Sequence, residues 1–313
     1  MDAQKNVEKI FLVHPFIKKL WQGGYMEFIK AIIMGIIQGV AEFLPISSSG
    51  HLAIFKILLK MNTDTGMLFD VLLHLGTLAA VFIVFWQDIK ALIVEGFSLL
   101  FDCAYNIGCL FRKEKKYRKI IGTPYRRFVM LIIVSTIPTG IIGILMKDVI
   151  EFSSETLLVP GCMLLLTGVL LTIADRISGT TVTEKDATYG KAALIGTAQG
   201  IATMPGLSRS GTTIAACLLC GFDRNFAVRY SFIMSIPAIL GALLLELLDF
   251  SEATTSIGAM EWAAYGVGTV VSGIVGYICI KTMLVIVRGK KFKYFAWYCF
   301  VMGIIAIVGH FVV

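Results

Sequence analysis

The sequence predicts an all-α integral membrane protein with six transmembrane helices and two re-entrant helix hairpins, arranged as an inverted-topology repeat. Three observations predict it. The 313 residues are 57% hydrophobic and 16% charged, with a mean hydropathy of +0.82, whereas soluble domains carry about a quarter charged residues. Six stretches are apolar over roughly the 20 residues that a bilayer crossing requires. Two more are apolar but interrupted by Pro, Gly and Ser, and these two are copies of one another. This composition excludes a soluble globular enzyme, and also a disordered chain, which would need low hydrophobicity. The 28 Lys and Arg outnumber the 21 Asp and Glu, but they cluster between apolar runs. That is the loop-charge bias of a membrane protein, not a nucleic-acid surface.

Taken in order, residues 1–25 hold Lys5, Lys9, Lys18 and Lys19 and no apolar run of signal-peptide length. They form an N-terminal extension ahead of a single membrane-embedded domain, 26–313. The first broken stretch covers about 28–60. Crossings follow at about 67–86, 128–146 and 157–174. The second broken stretch runs over 191–222, and crossings at about 226–248, 262–287 and 294–313 complete the chain. The loop before the second crossing contains Arg112, Lys113, Lys115, Lys116, Arg118, Lys119, Arg126 and Arg127, and a second basic cluster spans 288–293. Both are expected on the cytoplasmic side, and the loop with Asp249 and Glu252 outside. The seven cysteines are scattered. Cys217 and Cys220 form a C-x2-C with no second pair to complete a zinc tetrad, so all seven read as core or lipid-facing residues.

The broken stretches align without gaps when Gln38 is laid on Gln199, an offset of 161 residues. Gly35/Gly196, Gln38/Gln199, Gly39/Gly200, Ala41/Ala202, Ser47/Ser208, Ser49/Ser210 and Gly50/Gly211 are then identical. Such agreement marks a duplication, with halves of about 26–175 and 190–313. Three crossings lie between the copies, and an odd number inverts the second relative to the first. Pro45 and Pro205 end a first helix in each copy, the runs 47–50 and 208–211 follow as helix-entry residues, and a second, short helix starts near His51 and near Thr212. Hydrocarbon penalises exposed hydroxyls, so both tips must be buried in protein or line a wet cavity.

Two helix N-termini meeting there make an anion site. Ser47, Ser48, Ser49, Ser208, Ser210 and Thr213 add hydroxyl donors for a bound substrate. Arg209 adds a planar fork suited to phosphate oxygens, and an arginine inside a membrane segment marks a functional site by default. Gln38 and Glu42, four residues apart, share a helix face, and His51 stands across the hairpin. Acid, imidazole, hydroxyls and guanidinium together point to phosphoryl-ester chemistry. Gln38 and Glu42 are also candidate ligands of a divalent cation whose shell phosphate oxygens would complete. His74 either lines the cavity or makes an interhelical hydrogen bond. A secondary transporter using the same inverted-repeat anion site is the competing function.

At these residues the chain resembles the undecaprenyl-diphosphate phosphatase family, the bacitracin-resistance proteins. The first signature reads Gln38-Gly39-Val40-Ala41-Glu42-Phe43-Leu44-Pro45-Ile46-Ser47-Ser48-Ser49-Gly50-His51. The second reads Pro205-Gly206-Leu207-Ser208-Arg209-Ser210-Gly211-Thr212-Thr213. The likeness covers about residues 26–313. It implies hydrolysis of a polyprenyl diphosphate to the monophosphate and inorganic phosphate, which recycles the lipid carrier of cell-wall synthesis, with a flippase for the same lipid phosphate as the alternative. Glu42, His51 and Arg209 match essential catalytic positions, and Ser48 matches the candidate nucleophile, with His51 or water as alternatives. The resemblance further implies dependence on a divalent cation (Mg or Ca). It also implies a place in the bacterial inner membrane with the active site towards the outer face. Gln38 is the Gln variant of a position that many relatives fill with Glu. The partners expected are the polyprenyl diphosphate lipid and the membrane, with no nucleic acid, and the assembly expected is a homodimer.

Overall fold

The computed structural model describes residues 25–58, 63–112, 117–154, 156–178, 181–251, 258–289 and 291–312. Apart from Tyr25, the N-terminal extension lies outside them. Among the described residues there are twelve helices: α1 (Tyr25–Phe43), α2 (Ser48–Leu58), α3 (Thr63–Val84), α4 (Trp86–Arg112), α5 (Pro124–Leu145), α6 (Lys147–Ser154), α7 (Leu158–Arg176), α8 (Tyr189–Ile201), α9 (Arg209–Leu219), α10 (Arg224–Ser251), α11 (Ala259–Arg288) and α12 (Phe292–Val312). The only β pairing among them is one isolated bridge between Val182 and Phe222.

By length and composition, six helices can cross a membrane: Trp86–Phe111, Pro124–Leu145, Leu158–Arg176, Arg224–Leu245, Ala259–Arg288 and Phe292–Phe311. The last five match expected crossings. The expected crossing at 67–86 is α3, whose described apolar stretch is Leu68–Val84. Large apolar side chains such as Ile83, Ile141, Leu244, Ile274 and Ile304 face outward, as they must where the solvent is lipid. All seven cysteines are free.

The helix α4 was not expected from hydropathy, because Asp88, Lys90, Glu95 and Asp102 interrupt its apolar sequence. Its contacts explain those charges. Asp88 accepts from the Tyr125 hydroxyl at 3.1 Å and pairs with Arg229 at 3.5 Å. Glu95 and Asp102 both hold Arg126 at 2.8 Å, and Asp102 also takes Arg118 at 2.9 Å. Asn106 exchanges two hydrogen bonds of 2.8 Å with the Arg118 backbone. Four polar residues between 88 and 106 of α4 therefore meet residues 118–126 or Arg229 near the start of α10, while Ile89, Leu92 and Ile93 line a groove with α5 and α10 as far as Ile133 and Pro237. A helix running antiparallel along α5 would have carried Asp88 about 20 Å further down it, at a rise of roughly 1.5 Å per residue. These polar contacts lie at the end of the bundle where α5 and α10 begin.

The 161-residue register survives in three dimensions. The helices α2 and α9 begin and end at equivalent positions, and α3 and α10 begin at equivalent positions. Each hairpin opens with a helix carrying two glycines four residues apart, the small-xxx-small pattern that lets membrane helices approach closely. In α1, a Cβ on Gly35 would lie 2.5 Å from the Gly268 carbonyl oxygen, and one on Gly39 would lie 2.7 Å from Val275 Cβ. In α8, a Cβ on Gly196 would collide with the Ser135 backbone, and one on Gly200 would lie 2.7 Å from Ile142 Cβ. Thus α1 seats on α11 as α8 seats on α5. The last helices of the two halves, α7 and α12, close on each other through Gly161 and Gly303.

This packing predicts a sharp contrast between two glycine substitutions. Gly39→Ala forces a side chain into a closed crossing and should cost about 1–3 kcal/mol. At Gly96 on α4 no atom lies within 4 Å of an added Cβ, so Gly96→Ala should be neutral or stabilising by up to about 1 kcal/mol. Thermal unfolding of the purified variants in detergent compares them.

Candidate active site

Each hairpin turns between its helices through one residue with positive φ, but at a different place. In the first, Leu44 N–H still bonds the Val40 carbonyl at 3.0 Å, and Ser47, at φ 72°, then reverses the chain into α2. In the second the reversal falls on Gly206, at φ +88°, the position that Pro45 occupies in the first copy. Left-handed backbone is costly for a serine and nearly free for a glycine. Ser47 is held by its contacts: its Oγ accepts from Gly50 N–H at 3.5 Å, and its carbonyl accepts from the His51 ring at 2.7 Å. Ser208 caps α9 by accepting from Gly211 N–H at 3.1 Å, while its own N–H donates to Thr167 of α7 at 3.0 Å.

The tips touch reciprocally. An added Cβ on Gly50 would lie 3.5 Å from Gly206 Cα, and one on Gly211 would lie 3.1 Å from Pro45 Cβ. Gly50 and Gly211 are equivalent, as are Pro45 and Gly206. Contact of i with j and of j with i is the mark of two-fold-related surfaces.

Glu42 stands at this junction, 5% exposed. One oxygen receives Ser48 Oγ–H at 2.8 Å and Gln38 Nε2–H at 3.2 Å. The other receives the Arg209 guanidinium from the opposite hairpin. His74 Nε2 is 3.8 Å from the first oxygen, and its Nδ1 faces the Asp70 carbonyl at 2.8 Å. So His74 does line the site. Two polar atoms here are buried without a protein partner, Arg209 Nη1 and Gln38 Oε1. A free guanidinium donor and a free amide acceptor, on the two sides of one carboxylate, suit an anion and a cation.

The remaining hydroxyls divide. Ser47 and Ser49 lie 3.4 Å apart, and Ser208 and Ser210 repeat that spacing in the second copy. Thr213 sits one turn into α9, where it donates to the Arg209 carbonyl at 2.8 Å and bonds Ser231 of α10 at 2.5 Å. It ties α9 to α10 behind the tip. His51 does not join Glu42. Its Nδ1 is on Ser47, and its Nε2 lies 2.6 Å from the Tyr298 hydroxyl of α12. No feature of the sequence around Tyr298 marks it, since it lies in an ordinary apolar run 247 residues from its partner.

A buried carboxylate that accepts from a serine hydroxyl is placed to take its proton. A guanidinium and two helix N-termini beside it can stabilise phosphoryl oxygens.

Known proteins carry the same arrangement of sequence. The family described as bacitracin resistance protein BacA matches residues 31–305. A protein of Methanosphaera stadtmanae named undecaprenyl-diphosphatase is 42% identical over 284 residues, which is 90% of this chain and 98% of that protein. One of the same name from Halothermothrix orenii is 43% identical over 283 residues, again 90% of this chain and 98% of its own. A third, from Alkaliphilus metalliredigens, is 38% identical with equal coverage. With both signatures inside the matched region and nearly the whole length of each relative covered, this chain belongs to the bacitracin resistance protein BacA family.

Proposed function

We propose that the chain hydrolyses undecaprenyl diphosphate where the two hairpins meet, giving undecaprenyl phosphate and inorganic phosphate. The reaction recycles the lipid carrier of cell-wall synthesis and confers resistance to bacitracin. One observation carries the reading: the buried Glu42 holds the Ser48 hydroxyl on one oxygen and Arg209 on the other, and Arg209 keeps an unpartnered Nη1.

In this mechanism Ser48 Oγ attacks the terminal phosphorus in line and its proton passes to Glu42. The bond from that phosphorus to the bridging oxygen breaks, and Glu42 gives the proton to the departing phosphate. Water then attacks the phosphoserine, loses a proton to Glu42, and the serine oxygen recovers it as inorganic phosphate leaves. Arg209 Nη1 and the N–H groups opening α2 and α9 stabilise the equatorial oxygens. Ser49, Ser208 and Ser210 supply further donors to the substrate, and His51, three residues after Ser48 in the first turn of α2, is proposed as a further proton carrier of the site.

Gln38 and Glu42 are the residues that would hold a divalent cation, Mg or Ca. The unpartnered Gln38 Oε1 beside the carboxylate fits one that keeps water and phosphate oxygens for the rest of its shell. Among the described residues no cluster of three His, Cys, Asp or Glu offers a closed cage. Bound there, the cation would supply charge to neutralise the diphosphate.

For the membrane arrangement, the reading is two re-entrant hairpins in inverted halves, in the inner membrane, with the site open to the outer face. The reciprocal tip contacts support it, as do the polar contacts of α4 at one end of the bundle. With α4 not crossing, α3, α5 and α7 leave three crossings between the hairpins. The basic loops at 112–127 and 288–293 then face the cytoplasm.

Phosphate release from a long-chain polyprenyl diphosphate by the purified protein tests the activity, and a chelator should abolish it. Glu42→Gln should lose about a thousandfold or more in kcat, as expected for removal of a general base. Gln38→Glu should keep activity or tighten the metal dependence. Arg209→Lys keeps the charge but not the fork, and should cost about a hundredfold or more. Near-normal rates in Glu42→Gln or Arg209→Lys would overturn the assignments. For orientation, a cysteine at Lys116 should resist a membrane-impermeant thiol reagent added to intact cells; efficient labelling would invert the topology.

A further inference from the structure

Both imidazoles near the tips are held by the same device. Each sits four residues after a backbone carbonyl that meets its Nδ1: Ser47 for His51 at 2.7 Å, and Asp70 for His74 at 2.8 Å. A carbonyl can only accept, so Nδ1 carries the proton and Nε2 is the nitrogen left for other work. For His74 that nitrogen looks to Glu42. For His51 it meets the hydroxyl of Tyr298 at 2.6 Å, with the two rings nearly parallel at 15° and centroids 5.6 Å apart.

Nothing in the packing of α12 requires that hydroxyl. The helix is already seated along α7 through Gly161 and Gly303, and the neighbouring Cys299 thiol reaches the Pro45 carbonyl at 3.5 Å. The phenol ring could stack on His51 without its oxygen. The hydroxyl instead completes the imidazole, donating to Nε2 of the neutral ring or accepting from Nε2–H of the protonated one.

We propose that Tyr298 is a positioning residue of the hydrolytic site, fixing the Nε2 face of His51 as the Ser47 carbonyl fixes the Nδ1 face. The strained φ of Ser47 and the stacked phenol thus hold one ring between them. His51 is 5% exposed, so its orientation is set by these two contacts and not by water. Loss of an outer partner that orients a working imidazole costs about 10–100-fold in the comparable case of metal-bound histidines.

The proposal rests on the phosphatase reading, and its test separates the two. Wild-type protein is assayed first with undecaprenyl diphosphate in detergent, followed by Tyr298→Phe, which keeps the ring and removes the oxygen. The expected result is a kcat lower by tenfold or more, with KM and melting temperature unchanged. In protein labelled with 15N at its four histidines, the Nε2 signal of His51, assigned by its loss in His51→Gln, should move in Tyr298→Phe. The His74 signals should stay. A normal kcat in Tyr298→Phe would overturn the proposal, as would a lowered kcat with the His51 signal unmoved. Absence of phosphate release by the wild type would instead sink the phosphatase reading, and the histidine signals would still report whether Tyr298 orients His51.

Discussion

A carboxylate deep in an apolar bundle is costly to bury, and the pairing of Glu42 with Arg209 sets what surrounds it. An unpaired buried charge costs several kcal/mol, and breaking such a pair by removing one partner typically costs about 3–5 kcal/mol. Here the partner comes from the other copy of the hairpin, so the pairing is satisfied only where the two tips meet. Close approach of the tips in turn needs small residues at their contact, and Gly50, Gly206 and Gly211 supply them. The glycine pairs of α1 and α8 seat each hairpin deeply on a neighbouring helix and so bring the tips to one level.

The duplication explains why the two tips are not identical. Were Glu42 repeated in the second copy, a second buried carboxylate would need a partner of its own, and an unpaired buried charge costs several kcal/mol. A second arginine would raise the same objection. Instead Thr203 stands at the position of Glu42 and satisfies itself by donating to the Gly200 carbonyl at 2.7 Å. Ser48 stands at the position of Arg209, and its hydroxyl turns to the carboxylate. One tip keeps the acid and the other the base, so the pair is neutral. The Glu42–Arg209 pair draws one residue from each hairpin, so neither hairpin could form it alone.

Much of this was legible in the sequence, for local reasons. Pro, Gly and Ser dictate helix ends wherever they fall, so the two helix–turn–helix stretches could be read from composition and offset alone, although their second helices begin at Ser48 and Arg209, three residues before His51 and Thr212. Glu42, Ser48 and Arg209 stood out because charge and hydroxyls are rare in apolar runs. What escaped depended on partners distant along the chain. The acids of α4 make sense only beside Arg118, Arg126 and Arg229, and without those contacts they read as a break in hydropathy. Thr213 was grouped with the tip hydroxyls by proximity in sequence, yet one turn of helix points it back to Ser231. Tyr298 is ordinary in its own segment, and its meaning lies wholly in His51.

The ion pair also bears on how the proposed reaction would gain speed. At rest Arg209 is shared, with Nη2 on Glu42 and Nη1 without a protein partner. Substrate arriving at the site therefore meets only part of the guanidinium's charge. When Ser48 attacks, its proton passes to Glu42, and the carboxylate becomes neutral. Its hold on Arg209 weakens at that moment, while charge is spread over the equatorial oxygens of the transferring phosphoryl group. The full field of the guanidinium then falls on the transition state and not on the ground state, which is the condition for an interaction to raise kcat and not merely to tighten binding. A lysine at position 209 would keep the charge but could not divide it between two directed donors. In the proposed reaction, proton transfer and charge clamping are thus one event, coupled through the single carboxylate buried where the hairpins meet.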